Sequence, residues 1–79
     1  MKVQDLVLAI KRLKILADTI SSHVYLDYMH KQDFCETYAR VNQAILEDQT
    51  LRVRLKLADA EASDFYLSAG RLNYYWREK

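Results

Sequence analysis

The chain has one glycine and no proline among its 79 residues. Sheet proteins of this size need several tight turns, and tight turns depend on these two residues for their backbone angles. Their scarcity argues against a β fold and favours a few long helices. Apolar residues make up 51% of the chain, a fraction too high for a disordered segment. The sequence therefore predicts one small all-α domain over residues 1–79.

Cysteine is almost absent, and Cys35 has no second cysteine with which to form a disulfide. A lone cysteine is typical of a reducing compartment, so we expect a cytoplasmic protein. Long apolar runs are also missing, because the longest covers only residues 6–10. This pattern predicts neither a membrane span nor a secretory signal. A domain this short has a thin margin of stability, which a second copy or a partner protein often supplements.

Charge of one sign is not in excess, since 12 basic and 11 acidic residues leave a net charge of +1. Two local basic clusters nevertheless stand out: Lys11, Arg12 and Lys14, and Arg52, Arg54 and Lys56. Packed side by side, they would form a patch that binds phosphate, so a small helical nucleic-acid-binding regulator is the alternative function. Acidic residues flank both clusters, however, and the basic residues alternate around their helices. This placement favours ordinary solvated helix faces.

Apolar residues at alternating spacings of three and four predict a first helix over about residues 2–29. Its stripe consists of Val3, Leu6, Ile10, Leu13, Ala17, Ile20 and Val24. The pair Ser21-Ser22 is a weak point, because serine hydroxyls compete for backbone hydrogen bonds. Asp33 followed by Glu36 is a capping-box pattern, which predicts that a second, shorter helix begins there and runs to about Glu47.

The stretch LRVRLKLADAEASDF, residues 51–65, alternates like a strand at first but repeats like a helix over its full length. The helical stripe is the longer pattern: Leu51, Leu55, Ala58, Ala62, Phe65, Ala69, Leu72 and Trp76. A lone strand would have no partner, so we expect a third, long helix. Thr50 either begins this helix or lies at a kink in a helix continuous with the second. The predicted fold is two long helices bracketing a shorter one.

Both long helices carry apolar residues outside their main stripes. Leu8 and Ile15 form a second apolar line on the first helix, and Val53 and Leu57 lie outside the main stripe of the third helix. A three-helix monomer needs one apolar side per helix, so the second sides favour a homodimer or a partner protein. The alternative is a wide core stripe in a compact monomer.

Residues for catalysis or metal binding form no convincing set. His23, Asp27 and His30 lie at helical spacing, but one row of three supplies too few ligands for a zinc site. Cys35 would lie in the first turn of the second helix, where the helix dipole lowers a thiol pKa, but neighbouring acids oppose that effect, which favours a small buried side chain. We expect no enzymatic activity, no cofactor and no metal.

Aromatic residues are concentrated near two predicted helix ends. Tyr25 and Tyr28 lie near the end of the first helix, and Tyr74, Tyr75, Trp76 and Arg77 close the third. Trp76 and Tyr38 continue apolar stripes and are expected in the core. The others are candidate partner-binding residues, because aromatic and arginine side chains dominate protein interfaces. The sequence thus favours a non-enzymatic interaction module, a regulator or inhibitor of another protein. Its small size would suit a phage or bacterial origin.

Overall fold

The computed structural model describes residues 1–22 and 28–77, which form four α-helices and contain no strand. The helices are α1 Val3–Ser21, α2 Tyr28–Glu47, α3 Thr50–Ala58 and α4 Ala60–Arg77. The prediction of an all-α fold is confirmed, and residues 51–58 are helical rather than extended. The predicted number of three helices is wrong, because the third helix is divided in two.

The division lies at Asp59, whose backbone is extended, with φ −157° and ψ 96°. Its N–H donates to the carbonyl of Leu55 at 2.8 Å, which closes α3. Its carboxylate accepts from the N–H of Ala62 at 3.1 Å, which caps the first turn of α4. One aspartate therefore ends one helix and begins the next. Ala58, predicted on the buried stripe, is exposed next to this break.

The first helix is also shorter than predicted, since it ends at Ser21 instead of continuing to about residue 29. At its end, both the N–H and the hydroxyl of Ser22 donate to the carbonyl of Asp18, at 3.1 and 2.8 Å. This hydroxyl competition is the reason that the serine pair was expected to weaken the helix. Val24, the last residue of the predicted stripe, lies outside the described residues.

The second helix begins at Tyr28, so the capping box expected at Asp33 and Glu36 does not start it. With 20 residues, against 19 in α1 and 18 in α4, it is also not the shorter helix that was predicted. Asp33 lies more than one turn inside α2, where its carboxylate accepts from Arg12 of α1 and from the Thr37 hydroxyl. The aspartate that was expected to cap the start of α2 therefore helps to join α2 to α1. The end of α2 at Glu47 is as predicted.

A new helix starts at Thr50, as one of the two alternatives predicted. The Asp48 carboxylate accepts from the Thr50 N–H at 3.1 Å and from its hydroxyl at 2.6 Å. The hydroxyl bond is the main reason that the pKa of Asp48 is lowered. This side-chain turn separates α2 from α3 without glycine or proline.

The core consists of two adjoining clusters of buried side chains. The first draws on all four helices and contains Leu6, Ile10, Val41, Ile45, Leu51, Leu55, Ala62 and Tyr66. The second contains Leu13, Leu16, Ala17, Ile20, Phe34 and Ala69. Tyr38 and Phe65 are partly buried and pack against both clusters. The predicted main stripes of the first and third helices thus supply most of the core.

Gly70 serves close packing rather than a turn. A Cβ at this position would lie 3.0 Å from Tyr38 Oη. The Tyr38 ring stacks on Tyr66, with 5.6 Å between ring centroids, and Tyr66 Oη donates to Asn42 at 2.7 Å. Burial, and then the neighbouring Tyr38, raise the pKa of Tyr66. A side chain at this position would require the Tyr38 hydroxyl to move by a few tenths of an ångström.

Candidate protein-interaction surfaces

The apolar residues that lie outside the main stripes of α1 and α3 face away from the core. Leu8 and Ile15 on α1 and Val53 and Leu57 on α3 are between 63% and 82% exposed. A wide core stripe would bury these side chains, so that alternative does not explain them. We call Leu8 and Ile15 the α1 outer stripe.

The break at Asp59 makes a groove between the outer sides of α3 and α4, which we call the α3–α4 groove. Its volume is about 480 Å³, and it is lined by Arg52, Val53, Lys56, Leu57, Ala60, Ser63 and Leu67. The two charged residues of this lining are both cations, and its largest uncharged side chains, those of Val53, Leu57 and Leu67, are apolar. The groove therefore combines exposed apolar surface with positive charge.

A second open groove, of about 420 Å³, continues this surface past α3 to the end of α2. It shares Arg52 and Val53 with the α3–α4 groove and adds Ile45, Leu46 and Gln49. Leu46 and Leu67 are each at least 60% exposed. Leu46, Val53, Leu57 and Leu67 thus form one outer apolar face across three helices.

Two of the predicted partner-binding candidates, Tyr28 and Arg77, lie together where the start of α2 meets the end of α4. A groove of about 250 Å³ is lined by Tyr28, Lys31, Gln32, Cys35, Trp76 and Arg77. Tyr74 and Tyr75 are exposed on the same last turns of α4. The structure therefore brings Tyr28 and Arg77 together, while Tyr25 lies outside the described residues. We call Tyr28, Tyr74, Tyr75 and Arg77 the C-terminal aromatic surface.

Trp76 and Tyr38 take part in the core, as predicted. The Trp76 ring meets Phe34 edge to face, with 4.8 Å between centroids and an interplanar angle of 88°. Cys35 is half-buried in the middle of α2 rather than in its first turn, with Sγ 3.9 Å from the carbonyl of Asn73. Burial raises the pKa of the thiol, and the charge of Arg77 offsets this only in part. These surroundings are those of a packing residue rather than of an activated thiol.

The two basic clusters do not form one surface of free cations. Three of their six members are paired with carboxylates from different parts of the fold: Arg12 with Asp33, Lys11 with Asp59, and Arg54 with Asp48. Lys14 lines a small cavity together with the carboxylate residues Asp59 and Glu61. Arg52 and Lys56 line the α3–α4 groove instead. This dispersion of the cations weakens the nucleic-acid alternative.

The described residues contain no group of three His, Cys, Asp or Glu side chains placed to hold a metal ion. Of the row considered above, His23 and Asp27 lie outside the described residues. Within the same part of the chain, no helix has both the length and the apolar character required to cross a membrane.

Comparison of the chain with protein-family models, curated proteins and solved structures gives no match. The candidate surfaces are therefore defined by the exposed side chains of this chain itself. Sequence reasoning missed Leu46 and Leu67 as members of the outer apolar face. A signal for them exists, because Leu46, Val53, Leu57, Ala60 and Leu67 follow one another at spacings of 7, 4, 3 and 7 residues. Those spacings would place all five residues on one side of an uninterrupted helix.

Proposed function

We propose that this chain is a non-enzymatic protein-interaction module, a small regulator or inhibitor that binds and covers part of another protein. The outer apolar face carries the proposal, since four large apolar side chains lie exposed on the side away from the core. Apolar surface that is contiguous and exposed marks an interaction site more often than chance placement does. The C-terminal aromatic surface is a second candidate contact. The lone Cys35 supports action in a reducing compartment such as the cytoplasm.

We also propose that the chain forms a homodimer through the α1 outer stripe. Leu8 and Ile15 are seven residues apart, so they lie on one side of α1, where a second α1 can pack against both. Both signs of charge flank this stripe: Asp5 and Asp18 lie beyond its ends, and Lys11 and Arg12 lie between its two members. Lys11 and Arg12 have carboxylate partners within the chain, which reduces their repulsion across a two-fold axis.

Sedimentation equilibrium at micromolar concentration tests the homodimer. We expect a mass near twice the 9.4 kDa of one chain. The double substitution Leu8→Asp with Ile15→Asp is expected to give a folded monomer, because both positions are exposed within the chain. Glu36→Ala with Gln43→Ala, a pair of exposed polar positions on α2, is the control and should remain dimeric. A wild-type monomer throughout this concentration range would contradict the proposal.

The interaction function is tested by placing a photo-crosslinking amino acid at single exposed positions in the organism that encodes the chain. Leu57 probes the outer apolar face, Tyr74 probes the C-terminal aromatic surface, and Glu36 is the polar control. We expect a discrete adduct of constant mass from Leu57 or Tyr74 and none from Glu36. If neither position gives an adduct, the chain does not act through these surfaces, and the proposed function is wrong.

For nucleic acid we expect only weak retention of duplex DNA at low salt. Neutralising several phosphates makes binding fall steeply with salt, and three of the six basic-cluster residues are already paired with carboxylates. A gel-shift titration at about 50 and 200 mM salt measures this effect. Charge reversal at Arg52, Arg54 and Lys56 should remove what binding there is. Tight, sequence-selective binding that depends on these residues would establish the alternative function instead.

A further inference from the structure

The α3–α4 groove has a chemistry that restricts what can fill it. Val53, Leu57 and Leu67 supply exposed apolar surface, and Arg52 and Lys56 are the charged residues of its lining. Arg52 and Lys56 are four residues apart on α3, so they lie on one side of that helix. An occupant must therefore offer apolar side chains to the groove and negative charge to one of its walls.

A helix is the element that suits this groove. An extended peptide gains affinity by pairing its main chain with the edge of a sheet, and the described residues contain no strand to provide an edge. Helical peptides instead place side chains at i, i+3, i+4 and i+7 into apolar grooves between helices. The groove and its continuation toward Leu46 supply such a path.

A second copy of this chain does not match the charge of the groove. In a two-fold dimer the same surface of both copies meets, so Arg52 and Lys56 of each would be gathered in one interface. The lining contributes no carboxylate that would compensate these four cations. The α1 outer stripe, with both signs of charge around it, is compatible with self-association, but the groove favours a different and acidic partner.

We infer that the α3–α4 groove binds an amphipathic helix of a partner protein, with leucine-like side chains in the groove and Asp or Glu residues facing Arg52 and Lys56. This inference rests on the proposed function, for which it specifies the partner. It requires no change in the fold, because every side chain it uses is exposed or lines the open groove.

Two synthetic peptides test the inference, each of about 14 residues and about 21 Å long as a helix. Both carry leucine at i, i+3, i+4 and i+7, and both are held helical by a side-chain crosslink on the polar side. One has glutamate and the other lysine at the flanking positions. Titration of the ¹⁵N-labelled protein, followed by its amide resonances, gives the dissociation constant and the binding surface for each.

We expect the glutamate peptide to shift the amides of Val53, Leu57 and Leu67 and to bind about tenfold more tightly than the lysine peptide. Leu57→Asp should weaken its binding at least tenfold, whereas Leu8→Asp, the same change on the α1 outer stripe, should leave it unchanged. Arg52→Glu with Lys56→Glu should invert the preference, so that the lysine peptide becomes the tighter ligand. Lys2→Glu with Lys14→Glu alters net charge equally and should keep the original preference.

Equal affinity for the two peptides would overturn the inference, because the groove would then be a non-selective apolar surface. Shifts confined to the C-terminal aromatic surface would also overturn it. If dilution of the protein without peptide moves the Val53 and Leu57 amides, a second copy fills the groove and the inference is wrong. These results differ from a failure of the proposed function, since crosslinked adducts from Tyr74 would still show a partner bound elsewhere.

Discussion

Leu55→Asp should leave the chain unfolded, whereas Leu57→Asp, two residues further on, should leave it folded. Leu55 is 1% exposed in the first core cluster, and Leu57 is 82% exposed on the other side of α3. Losing the buried leucine costs roughly 2–5 kcal/mol. An unpaired buried carboxylate adds several kcal/mol more. Together these losses are comparable to the stability of a domain this size, about 4–12 kcal/mol at 0.05–0.15 kcal/mol per residue.

Far-UV circular dichroism and urea unfolding measure the contrast between these two variants. Leu57→Asp should retain the helical spectrum and the cooperative transition of the wild type, and Leu55→Asp should lose both. Both variants introduce an aspartate into α3, so helix propensity does not account for a difference in their stabilities. If Leu55→Asp instead gives a folded monomer, this leucine lies at a dimer interface and the first core cluster is wrongly assigned.

The sequence pattern predicts the side of each helix that is buried better than it predicts where each helix ends. Leu6, Ile10 and Leu13 were expected in the core and are buried, because a spacing of three and four residues leaves them on one side of α1. The break at Asp59 was missed, because the apolar stripe passes through it without changing phase. A single aspartate that caps α4 is a weak sequence signal next to eight apolar positions in register.

The exposure of the second apolar sides could be anticipated from sequence, but the grooves could not. On a helical wheel of residues 51–58, Val53 and Leu57 lie outside the main apolar stripe. The groove between α3 and α4 lies beside the extended backbone of Asp59, and a pattern of residues does not contain that conformation. The pairing of Arg12 with Asp33 is likewise a tertiary contact between residues 21 apart. The basic clusters are therefore interrupted by more carboxylates in the fold than in the sequence.

The second large effect is expected at the C-terminal end of α4, where adjacent aromatic residues have different roles. Trp76→Ala should destabilise the chain by about 3 kcal/mol, because the ring packs against the second core cluster. Its edge-to-face contact with the fully buried Phe34 is part of that loss. For a domain of this size, we expect the melting temperature to fall by roughly 12–24 °C. Thermal unfolding followed by circular dichroism measures the change.

Tyr74→Ala is the matched control, because this residue belongs to the same helical turn but is 62% exposed. We expect it to change stability by less than about 0.5 kcal/mol, as is typical of surface substitutions. Tyr74→Ala and Arg77→Ala should instead weaken binding of whichever partner the Tyr74 crosslink captures, with about 2 kcal/mol lost for a true interface anchor. If Tyr74→Ala lowers the melting temperature as much as Trp76→Ala does, the C-terminal aromatic surface is part of the core. Partner recognition would then depend on the outer apolar face alone, where we expect Leu57→Asp to weaken binding at least tenfold without unfolding the chain.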